Sequence, residues 1–62
     1  MTKSENREIK NIELFIAHGM TDTAARTLSA LIRAARTSHS RADLMIYAHS
    51  FKLTNHPDFI IS

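Results

Sequence analysis

The chain has 62 residues, no cysteine and a formal net charge of +2 from eight basic and six acidic side chains. The missing thiols exclude disulfides, thiolate zinc sites and cysteine nucleophiles. A chain this short buries only about 60% of the surface its unfolded form exposes, so dense helix packing or self-association has to supplement the core. The charge is unevenly placed. Up to Asp22 three basic residues face four acidic ones, whereas Thr23 to Ala42 holds Arg26, Arg33, Arg36 and Arg41 with no acidic residue. A basic, amphipathic centre suits an acidic partner, either a protein or a nucleic acid.

The N-terminal residues are charged and lack the apolar core of a signal peptide, and the longest apolar stretch, Leu44 to Ala48, is far short of the roughly 20 residues of a membrane span. The expectation is a cytoplasmic chain with no membrane partner. Thr2 and Glu5 form a capping-box pattern, and Ile9, Ile12 and Ile16 follow on one face with Phe15 beside them. This predicts a helix over about 4–18. Gly19 supplies a left-handed closing residue, and Met20 is expected to pack back on the last turn as part of the core.

Thr21 is the expected N-cap of a second helix over 21–37, whose apolar stripe is Ala24, Ala25, Leu28, Leu31, Ile32 and Ala35. Ser38-His39-Ser40 reads as a break. Ser40 with Asp43 three residues on then opens a third helix over 40–53. Leu44, Tyr47, Ala48 and Phe51 form its main face, while Ile46 and Leu53, seven residues apart, point roughly the other way. The second side needs a cover, either the tail over 54–62 folding back or a second copy of the chain. Pro57 prevents helix beyond the Thr54-Asn55-His56 segment. Phe59, Ile60 and Ile61 also favour an extended strand, which would require two subunits to pair.

The fold expectation is an all-α, single small domain over 1–62, with three helices in a helix-turn-helix-like arrangement. It is expected to be a homodimer with a C-terminal extended segment. Arg26 and Arg33 lie almost in line opposite Leu28, with Arg36 flanking, and Arg41 sits near the start of the third helix. These four arginines are the candidate partner-binding patch, since guanidinium groups pair with carboxylates and phosphates in bidentate fashion. Ile46, Leu53, Phe59 and Ile60 are the candidate apolar surface for a dimer or partner. If DNA were the partner, Thr23, Arg26 and Thr27 would be the residues aimed at base edges.

His18, His39, His49 and His56 show no metal-ligand spacing, and no serine stands in a nucleophile-elbow setting. No catalytic residue, metal or cofactor is expected.

The run Gly19-x4-Ala24-Ala25-Arg26-x-Leu28-x2-Leu31, followed by Ala34-Ala35-Arg36, a short polar break and Ser40-Arg41-Ala42, resembles the PerC-like and AraC-negative-regulator (ANR) type of small bacterial transcription modulator. The resemblance spans roughly Leu14 to Phe51. Leu28 stands near the tryptophan usual in the second helix of that type, and Ser50 or Phe51 near its late cysteine. The resemblance implies a non-enzymatic helical modulator of transcription that contacts a regulatory protein, with Ala24, Ala25 and Leu28 in packing. Direct DNA binding, and inhibition of a host protein by a product of a mobile element, are the alternative functions.

Overall fold

The computed structural model describes residues 2–61, so Met1 and Ser62, the ends of the expected domain and tail, lie outside the described residues. The chain folds as α1 (Lys3–Ala17), α2 (Thr21–Ala34) and α3 (Ser38–Ser50), with no strand among the described residues. This is the expected all-α, three-helix class. α2 is the central element: α1 and α3 both pack on it, and their backbones make no comparable approach to each other.

The start of α1 is a complete capping box. The Glu5 N–H donates to Thr2 Oγ1 at 3.1 Å, and the Thr2 N–H donates to Glu5 Oε1 at 2.8 Å, satisfying two of the amides that a helix start leaves unpaired. That backbone bond from Thr2 holds the Glu5 carboxyl below the usual carboxylate range. Ile9 and Ile12 are buried, with Phe15 and Ile16 half-buried behind them.

At the other end, Gly19 has φ +77° and donates to the Ile16 carbonyl at 3.0 Å, while the Met20 N–H donates to the Phe15 carbonyl at 2.7 Å. These are the two bonds of a Schellman closure. Met20, however, is 46% exposed and is not a core residue. It is also the N-cap residue of α2 and makes no side-chain cap bond; Thr21, expected as the cap, is the first helical residue.

α2 buries Ala24, Ala25, Leu28, Ser29 and Ile32, and Ala35 just beyond it. The expected stripe included Leu31, which is half-buried; it omitted Ser29, whose hydroxyl donates to the Arg26 carbonyl at 3.1 Å and so is satisfied in the core. α2 ends three residues earlier than expected. Ala35 is extended, at φ −62° and ψ 129°, and its carbonyl accepts from Arg41 Nη2 at 3.4 Å. Thr37 then caps α3, its Oγ1 accepting from the Ser40 N–H at 3.0 Å. Ser38-His39-Ser40 is thus the first turn of α3, and Ser40 lies inside the helix.

Leu44 and Ala48 anchor α3 in the core, and the Tyr47 and Phe51 rings, 5.9 Å apart, flank them. The helix stops at Ser50. Lys52 takes a left-handed φ of 60° and donates to the His49 carbonyl at 3.1 Å, while the Leu53 N–H donates to the Ala48 carbonyl at 3.0 Å. This second Schellman closure turns Leu53 inward to 2% exposure, against the buried Ala48 end of the helix. Leu53 is therefore a core residue and neither continues α3 nor shares a surface with Ile46.

The tail continues in two turns, with the His56 N–H on the Leu53 carbonyl and the Phe59 N–H on the His56 carbonyl. Phe59 packs on the core.

Candidate partner-binding surface

Asp22, Arg26 and Arg33 project from α2 within about 40° of one another at 100° per residue, and the tail is laid along that line. His56 Nε2 meets Asp22 Oδ1 at 2.9 Å, Asp58 Oδ2 lies 3.8 Å from Arg26 Nη1, and Arg33 Nη1 donates to the Ile60 carbonyl at 2.9 Å. Three alternate tail residues, 56, 58 and 60, thus meet successive positions along α2. The tail acts as a strap running in the same direction as the helix.

The strap changes the character of the basic patch. Arg26 faces a carboxylate of its own chain, Arg33 holds a tail carbonyl, and Arg41 caps the end of α2. Arg36 is exposed and has no such partner among the described residues. The four arginines do not form one continuous patch. Arg26 faces the strap, Arg33 and Arg41 border a groove between α2 and α3, and Arg36 borders a separate depression beside Glu5, Leu31 and Thr37.

The groove has a volume of about 380 Å³ and is lined by Ile32, Arg33, Arg41, Met45 and Ile61. Ile32 belongs to the core and Met45 packs against it, so the floor is apolar, and two guanidinium groups border it with no acidic residue in the lining. Of the expected apolar surface, Ile46 is 63% exposed on α3 and Ile60 is 53% exposed on the strap, while Phe59 is half-buried and Leu53 is in the core. Leu14, on the side of α1 opposite the Ile9, Ile12 and Ile16 face, is also exposed.

The histidines separate into different settings. His39, exposed, sits 3.6 Å from half-buried Asp43 across one helical turn. His56, with only 20% of its side chain exposed, joins Asp22 and Asp58 in a cluster whose donor atoms lie within 4.8 Å of one another. Sequence spacing could not reveal this group, because Asp22 comes from the start of α2 and the other two from the tail. A metal is a poor fit here. The Asp58 N–H donates to His56 Nδ1 at 3.0 Å, which leaves the proton on Nε2, the atom facing Asp22. A histidine bound to metal through Nε2 carries its proton on Nδ1 and donates it outward, the reverse arrangement. Arg26, beside Asp58, already supplies a positive charge.

No helix among the described residues is long and apolar enough to cross a membrane. In comparisons with family models, curated proteins and solved structures, no match to this chain was found.

Proposed function

We propose that this chain is a small, non-enzymatic regulatory protein of the cytoplasm that modulates transcription by binding another protein, and that it works as a homodimer. The observation that carries this reading is the groove between α2 and α3, an apolar floor flanked by Arg33 and Arg41 with exposed Ile60 at the strap. An apolar patch with a positive border suits a protein surface of opposite charge, where the charges set specificity and association rate. The resemblance of Gly19 to Ala42 to the PerC-like and AraC-negative-regulator type supports the transcriptional assignment.

The same geometry favours a protein partner over DNA. Thr23 and Thr27 are half-buried, and Asp58 of the strap lies 3.8 Å from Arg26, so the tail's own carboxylate competes with phosphate beside the face of α2 that would enter a groove. Ile46, exposed outside the groove, is assigned to the dimer contact.

Capture from a lysate of the native cell tests the reading. The wild type should retain a regulatory protein after nuclease treatment, and an Arg33→Glu, Arg41→Glu double variant should lose it. Recovery only of nuclease-sensitive material, with affinity falling steeply as salt rises, would establish DNA binding instead. Ile46→Asp, a surface change, should convert a dimer to a folded monomer in sedimentation; an unchanged dimer would remove Ile46 from the interface.

A further inference from the structure

We infer that the groove between α2 and α3 binds an acidic segment of a partner protein, one that presents an apolar side chain flanked by aspartate or glutamate. The inference rests on the proposed protein-binding function and specifies its partner. Charge decides the occupant. Two arginines and no acid line the groove, so a neutral apolar segment would leave both guanidinium groups unanswered and a basic one would be repelled.

Donors remain on both arginines. Arg33 uses Nη1 for the Ile60 carbonyl, and Arg41 reaches the Ala35 carbonyl through Nη2 at the long distance of 3.4 Å. Each guanidinium has five N–H donors, so both retain a face for a carboxylate. Between them, Ile32, Met45 and Ile61 supply the apolar contact, and the unbranched Met45 can adapt to the shape of an inserted side chain. Ile61 is itself exposed on the strap, which extends the apolar surface beyond the groove.

The second depression differs in the feature that matters. It is bordered by Arg36 but also by Glu5, whose carboxylate already accepts the Thr2 N–H, so its charge is mixed and an acidic ligand meets repulsion there.

The test is fluorescence anisotropy with a labelled peptide of alternating aspartate and leucine. Peptides alternating aspartate with serine and lysine with leucine serve as controls, together with a short DNA duplex. The aspartate–leucine peptide should bind at least about tenfold more tightly than any control, because it alone meets both the charge and the apolar floor. Arg41→Gln and Arg33→Gln should each weaken it by about fivefold or more, while Lys10→Gln, which removes a charge from the exposed face of α1, should leave it unchanged. Ile61→Ser removes apolar contact without placing a charge beside the arginines and should also weaken binding by about fivefold or more, which protects the test against loss of the Arg33 strap contact. Circular dichroism checks that each variant is folded.

Equal binding of the aspartate–serine peptide, equal weakening by Lys10→Gln, or tighter binding of the duplex would overturn the inference. So would loss of peptide binding as protein concentration rises, which would identify a second copy as the occupant. The two levels fail separately. If lysate capture survives nuclease but is unaffected by Arg41→Gln and Ile61→Ser, the groove is wrong while the protein-binding function stands; if no protein is captured, the function itself fails.

Discussion

The turns that close α1 and α3 share the same pair of hydrogen bonds and differ in nearly everything else. After α1, glycine takes the left-handed position and the following Met20 stays exposed; after α3, Lys52 takes it and the following Leu53 is buried. A β-carbon in the left-handed region costs about 1–2 kcal/mol, and burying a leucine returns about 1.5–3 kcal/mol. The first turn is therefore stabilised by its local residue choice. The second is held in a less favourable backbone conformation by the core residue beyond it.

That contrast can be broken most directly at Leu53. Leu53→Ala should cost about 2–4 kcal/mol in chemical denaturation, a core-sized loss; a change under 1 kcal/mol would show that the turn does not depend on its buried neighbour. Gly19→Ala should destabilise by about 1 kcal/mol. A β-carbon there meets no atom within 4 Å, so the loss is purely conformational. Lys52→Gly should do the reverse and raise stability by about 0.5–1 kcal/mol, since it relieves the left-handed backbone while adding chain entropy to the unfolded state. If both substitutions at the left-handed positions shift stability in the same direction, the comparison is wrong.

The smallest expected effect is at the start of α1, another locally determined device. The Glu5 carboxyl is depressed in the folded chain by the Thr2 backbone bond, so it binds a proton less readily there than when unfolded. The stability it adds is present above the ordinary glutamate range and is lost as pH falls through the folded value. Glu5→Gln should therefore flatten the acid side of the stability profile slightly, as measured by thermal melts at a series of acidic pH values.

The same division explains how much could be read from the residues. The capping box at Thr2 and Glu5, the closing glycine and the stripe on α2 are local or periodic signals, and they located α1 and the start of α2 almost to the residue. The junction of α2 and α3 was misplaced because Ala34, Ala35 and Arg36 all favour helix and two capping candidates, Thr37 and Ser40, stand three residues apart. What stops α2 is tertiary: Ala35 turns into the core and Arg41 takes its carbonyl. Leu53 was misread for a related reason, since nothing local marks a lysine for a left-handed turn.

The arginines were conspicuous as charges, but two of their partners are backbone carbonyls, which leave no trace in residue type. The strap had a faint signal, His56 and Asp58 in the tail against Asp22 and Arg26 on α2, legible only once the tail is known to return to that helix.

The strap also bears on the order in which the chain is assembled. The contacts within α1, the turn at Gly19 and the packing of neighbouring helices join residues close in sequence, whereas the His56 to Asp22 contact closes a long loop that must already be shortened by the formed helices. Local contacts form early and long closures late. The strap contacts are accordingly expected to form after the rate-limiting barrier. Loosening any one of them should raise the unfolding rate and leave the refolding rate unchanged in stopped-flow denaturant jumps.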